Sequence, residues 1–151
     1  IIVISAVVIA LSTDWRLLFN PQTAPIARSD QDQYILSWPA GYGIKEIIAF
    51  AKKEAAQGEI FIATEGTFGL MPASLELYLW DNPQVEIKGY FPVKEIPLEV
   101  LEKAKEMPTY FVFNETVQVV SEWPLKLVAE YLRPHRRYSM RLYQVIAQPE
   151  R

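Results

Sequence analysis

The chain has no cysteine and one histidine in 151 residues. Without cysteine there are no disulfides, thiolate-ligated zinc, iron–sulfur clusters or thiol nucleophiles, although the compartment stays open. A lone histidine leaves no histidine-based metal site. His135 lies between Pro134 and Arg136 in an expected turn, a poor setting for a triad base, which needs a fixed ring. Positive charge is also short. With 15 basic and 18 acidic residues the net charge is −3, so there is no basic surface for nucleic acid. The densest basic cluster, Arg133, His135, Arg136 and Arg137, reads as a solvated loop. Neither a Gly-x-Gly-x-x-Gly fingerprint nor a Walker lysine is present, which leaves a soluble nucleotide-binding enzyme as the weakest reading. There is no internal repeat and no low-complexity tract.

Apolar residues are plentiful. They make up 50% of the chain, with 13% aromatic, enough for one buried core in one domain of ordinary size. Residues 1–11, from Ile1-Ile2-Val3-Ile4 to Leu11, are uncharged and have no polar face. They would rise about 16 Å as a helix, roughly half a bilayer core. No basic segment precedes them, as a signal peptide requires. The expectation is the exit half of a transmembrane helix, with Trp15 and Arg16 at interfacial depth and membrane lipid near residues 1–16. A buried N-terminal strand or core helix is the alternative. Residues 12–33, with two prolines, are expected to form an extended linker. A soluble α/β domain over 34–147 and a short tail, 148–151, complete the division.

Within that domain, 34–38 is expected as a short strand, and Pro39-Ala40-Gly41-Tyr42-Gly43 as a turn. Ile44, Ile47, Ile48, Ala51 and Ala55 share one helical face over 44–57. The nearly continuous apolar run at 59–64 suits a strand covered on both faces. A second helix is expected over 67–79, with Thr67 as N-cap. An alternating strand at 85–90, nearer an edge, follows. A helix over 98–107 and a buried strand over 110–114 come next. Residues 125–132 and 139–147 read as two strands of a hairpin. The predicted fold is therefore α/β: a three-layer, Rossmann-like βαβαβ core, with a C-terminal antiparallel β-hairpin completing a mixed sheet.

Candidate contacts cluster at the turns. Thr64, Glu65 and Thr67 lie between a buried strand and the next helix, where open α/β sheets bind ligands. Glu65 would repel a phosphate there, so a structural turn competes with a site. Tyr42 sits in a glycine turn too short for a phosphate loop. Asp30 and Asp32 could pair for acid–base work or a divalent cation, but their polar surroundings favour a solvated surface. Trp38, Tyr42, Phe68, Tyr90, Phe91 and Trp123 are core residues or loop aromatics suited to sugars or a membrane interface. The candidate ligand or acceptor contacts are thus Thr64, Glu65, Thr67, Asp32, Tyr42 and Trp38. No catalytic residue, metal site or cofactor is expected.

The segment from Gln33-Tyr34 through Trp38-Pro39-Ala40-Gly41-Tyr42-Gly43, the helix from Ile44, and Thr64-Glu65-Gly66-Thr67-Phe68-Gly69 resemble one known domain. Pro108-Thr109-Tyr110-Phe111-Val112-Phe113-Asn114 and Ser139-Met140-Arg141-Leu142-Tyr143-Gln144-Val145 fit it too. It is the C-terminal extracytoplasmic domain of bacterial membrane glycosyltransferases of the protein-mannosyltransferase and aminoarabinose-transferase-like type. The resemblance covers most of the chain through short, mainly structural motifs. It implies a multi-helix membrane enzyme that takes a sugar from a polyprenyl-phosphate donor. Its catalytic carboxylate would lie in an early outer loop that this sequence lacks, so none is carried over. The partner would be an N-terminal membrane domain of the same chain, and the location the outer face of the cell membrane. A membrane-tethered small-molecule or carbohydrate-binding module is the alternative.

Overall fold

Residues 60–65 show why the sheet sits at the centre. In strand β1 (Ile60–Glu65) every residue is buried, and alternate side chains enter two separate cores. Ile60 and Ile62 pack with helices α3 (Ile44–Ala55) and α4 (Ala73–Leu79). Phe61 and Ala63 pack on the other face with helix α5 (Leu98–Glu106). The computed structural model describes residues 2–116, 118–134 and 139–147. Over these the fold is α/β, with one five-stranded mixed sheet between helical layers.

The remaining strands are β2 (Val85–Tyr90), β3 (Thr109–Phe113), β4 (Leu125–Leu132) and β5 (Ser139–Val145), in the order β2-β1-β3-β5-β4. β1 pairs in parallel with both β2 and β3, and β5 pairs antiparallel with β3 and β4. The chain therefore runs from β1 to one side through α4, then crosses to the other side through α5. Because α4 and α5 lie on opposite faces, a crevice opens at the carboxyl ends of β1 and β3.

The apolar face read from α3 is the buried one: Ile47, Ala51 and Ala55 are in the core, with Ile44 and Ile48 against it. β2 alternates and lies at the sheet edge. On the α5 side Phe111 stacks on Phe113 at 4.5 Å, and Phe113 on Trp123 at 5.9 Å. Each buried phenylalanine contributes about 2–3 kcal/mol through area removed from water.

Four local expectations are corrected. Residues 34–38 are not a strand. Asp32–Leu36 form a wide helical turn closed by Ser37 N–H donating to the Asp32 carbonyl at 2.9 Å. Consecutive Ile35 and Leu36 are both buried, which a turn permits and a one-faced strand does not. Nor is 12–33 extended. Helix α1 (Ile2–Phe19) runs through the polar residues, and turns at Pro21–Thr23 and helix α2 (Arg28–Gln31) follow. Thr67 caps no helix. α4 begins only at Ala73, after a tight turn bridging Phe68 and Met71 and a cis Met71–Pro72 bond. Arg133 is not solvated but 1% exposed. The other members of that basic cluster, and the 148–151 tail, lie outside the described residues.

Val3, Ile4, Val7, Val8, Ile9 and Leu11 of α1 are all exposed. Among the described residues, no helix is long and apolar enough to cross a membrane.

Candidate functional site

The crevice is formed by loops leaving three neighbouring strands. Gly66, Thr67 and Phe68 follow β1, Phe91 follows β2, and Asn114 and Glu115 follow β3. With Trp38, Glu65 and Met71 they line a cavity of about 130 Å³. Its floor depends on two glycines. Gly66 has φ +115 and its carbonyl oxygen meets the backbone of Gly89 so closely that a methyl at Gly89 would overlap it. Only glycine at both positions lets the loop after β1 lie flat on β2.

Glu65 decides what the cavity can do. Its Oε2 accepts the backbone N–H groups of Asn114 at 2.9 Å, Glu115 at 2.8 Å and Thr116 at 2.9 Å. Its Oε1 accepts from the Thr116 hydroxyl. Three successive amides converging on one oxygen form an anion-binding nest. Here the nest holds the chain's own carboxylate.

The carbonyl side of the same loop is held by two arginines from the hairpin. Arg133 donates from Nη1 to the Asn114 carbonyl at 3.1 Å, and from Nη2 to Asn114 Oδ1 at 2.5 Å and the Trp38 carbonyl at 3.3 Å. Arg141, on β5, donates from Nη2 to the Thr116 carbonyl. Asn114 Nδ2 also donates to the Trp38 carbonyl, at 3.3 Å. Burial pushes the Arg133 guanidinium down from the ordinary arginine range. The Nε atoms of both arginines are buried without a partner among the described residues.

Trp38, Glu65 and Thr67 are thus brought together, Thr67 exposed at the rim. Thr64 points to the α3 and α4 face by strand alternation and does not line the cavity. Its hydroxyl is buried without a partner among the described residues. Asp32, exposed on its turn, and half-buried Tyr42 are not in the lining. Asp30 is exposed as well, and among the described residues there is no cluster of three or more acidic or histidine side chains placed to hold a metal ion.

Sequence reasoning left out Asn114, Thr116, Arg133 and Arg141, which shape the site. The one available signal was Arg141, a charged residue amid the apolar run 140–146.

The Glu65 carboxylate and the Asn114 amide are already spent on the loop, and the walls are Trp38, Phe68, Met71 and Phe91. A sugar would need several free donors and acceptors. A space of this size with such walls suits one apolar group, on the scale of a single ring. No protein-family model matches this chain, and no curated protein or solved structure matches it either.

Proposed function

We propose that this chain is the extracytoplasmic domain of a bacterial membrane glycosyltransferase that uses a polyprenyl-phosphate sugar donor. The domain is non-catalytic and forms part of the acceptor side. The chemistry belongs to a membrane domain of the same polypeptide, and α1 is the outer part of a membrane helix joining the two. The observation that carries this reading is the state of Glu65. The buried carboxylate of the strand-end crevice is saturated by three amides and a hydroxyl, which leaves only Glu115, exposed at the rim, among the lining carboxylates. A cavity that binds without reacting fits a domain whose partner carries the reaction. The uncovered apolar sides of α1 supply the membrane connection, and the resemblance of the motifs at 33–43, 64–69, 108–114 and 139–145 supplies the enzyme class.

The test is the genomic reading frame upstream of Ile1. Several apolar segments of about 20 residues, with an acidic residue in the first outer loop, are expected. A lone signal peptide in that place overturns the proposal.

The cavity itself favours a second reading, a tethered binding module with one membrane helix. In that case small apolar ligands should bind the chain saturably, and Thr67→Val at the rim should alter their affinity. Unchanged binding in that variant removes this alternative.

A further inference from the structure

Which end of the domain faces the membrane follows from how little slack separates α1 from the cavity. At the exit of α1, Trp15 packs on Phe19 with ring centroids 4.2 Å apart, and Arg16 donates to the Thr23 carbonyl at 3.2 Å. The chain is packed again almost at once. Ala24 is buried, and its carbonyl accepts from Gln31 Nε2 at 2.9 Å. Ile35 and Leu36 are buried too, and Trp38 already lines the cavity. α3 then starts beside the carboxyl end of the sheet, where Gly43 lies against Tyr131 and Gly41 against Leu70. α1 is therefore tied to the carboxyl end of the strands, with no extended linker between them.

That same end bears two large apolar side chains without ring partners among the described residues. Phe68, after β1, is 82% exposed, and Phe91, after β2, is 61% exposed. The loop holding Phe68, residues 66–72, has no charged side chain. The loop after β2 carries one of each sign, Lys94 and Glu95, and Glu115 lies at the rim. An aromatic pair on nearly uncharged loops is matched to the headgroup layer, where rings lose water at little electrostatic cost. Exposure alone does not choose this end. Trp80, also 82% exposed, lies at the far end of α4, toward the start of β2, beside Leu77 and Tyr78. The attachment of α1 is what separates the two ends.

We propose that the carboxyl end of the sheet rests on the bilayer, with Phe68 and Phe91 seated in its headgroup layer. The cavity then opens toward lipid, and its occupant arrives along the membrane surface and not from bulk water. This rests on the reading of α1 as membrane-embedded.

The absence of native cysteine makes the test direct. Val8→Cys, Phe68→Cys, Phe91→Cys and Trp80→Cys, each in the full 151-residue chain, are spin-labelled and placed in phosphatidylcholine–phosphatidylglycerol vesicles. Accessibility to oxygen and to a water-soluble nickel chelate is then read. All four sites are exposed, so the labels displace no core packing. The label at 8 should sit among acyl chains. Those at 68 and 91 should lose about fivefold or more of the nickel accessibility shown at 80. If 8 is in the acyl region while 68 or 91 is as nickel-accessible as 80, the orientation is overturned and the membrane reading of α1 stands. If 80 is the protected site, the opposite end faces the bilayer and the proposal is wrong. If 8 itself remains in water, the membrane reading falls, and the orientation with it.

Discussion

Glu65 and Arg133 grip the same residue from opposite sides. The carboxylate accepts the Asn114 N–H at 2.9 Å, while the guanidinium donates to the Asn114 carbonyl at 3.1 Å. The two side chains come from β1 and from the end of β4. Between them they secure the loop after β3 at the wall of the cavity. The anion and the cation stabilise opposite ends of the loop's peptide dipoles, so neither is buried without polar partners.

Removing either grip should unfasten the loop. Glu65→Gln is expected to lower stability by about 2–3 kcal/mol, because a neutral amide replaces a charged acceptor shared by four donors. Arg133→Met should cost about 3 kcal/mol, since it removes the donor from two buried Asn114 oxygens and one of the two donors to the Trp38 carbonyl. In a double-mutant cycle the two losses should fall short of additivity by about 1 kcal/mol or more, as both act on one loop. Urea unfolding followed by far-ultraviolet circular dichroism measures all three. Strict additivity would show that the loop does not couple them.

Gly89→Ala should be far more harmful than its exposure suggests. The added methyl overlaps the Gly66 carbonyl oxygen and also meets Pro72 Cδ at 3.1 Å. The loop after β1 must lift off β2, at a cost of about 2 kcal/mol or more. The expected signs are a lower urea midpoint and loss of any ligand binding in the cavity. A wild-type midpoint would mean that the two glycines do not set the floor.

Alkaline pH should weaken the fold through Tyr110. Its hydroxyl donates to Glu54 Oε2 at 2.9 Å. Burial, then this bond and the nearby Glu54 charge, push the phenol up to about 12. The unfolded value is lower, about 10, so the folded chain favours the neutral ring. That contribution is whole below pH 10 and is lost as pH rises toward 12. Tyr90, raised by burial and then by Glu99, acts in the same direction. Urea midpoints taken from pH 8 to 12 should fall, and Tyr110→Phe should make the fall shallower without abolishing it. An identical slope in that variant would remove Tyr110 as a source.

The α5-side core should be much more sensitive than the surface ion pairs. Phe111 is fully buried, stacks on Phe113 and lies near Tyr90. Phe111→Ala is expected to cost about 3–5 kcal/mol through lost transfer energy and the cavity left behind. Lys88 and Glu99 pair at 2.7 Å with both side chains about half exposed. Breaking that pair with Lys88→Met should leave the urea midpoint close to wild type, because water screens it.

Much of the scaffold was legible along the chain because its signals are local. Helix α3 shows a clean apolar face at helical spacing, and β1 and β3 are short apolar runs that only strands covered on both sides accommodate. The segments that misled are those whose conformation depends on distant partners. Residues 34–38 have strand-like composition, yet they pair with no strand and lie in a helical turn that buries both Ile35 and Leu36. Thr67 looks like a helix cap, but the approach of Gly66 to Gly89 and the turn from Phe68 to Met71 delay the helix to Ala73. Arg133 sits in a basic run that suggests solvent, and it is buried because the loop after β3 presents carbonyl oxygens to it.

The sequence by itself determined the α/β class, the helix and strand order of the core, and the absence of cysteine. These follow from residue type and short-range periodicity. Only the tertiary structure decided the state of the candidate site. Glu65 meets its partners 49 to 51 positions later in the chain, and Trp38 meets Arg133 across 95. No local pattern encodes such pairings. They exist because the crossover from β2 to β3 brings the ends of three strands together, and that turns a promising carboxylate into the fastening of a loop.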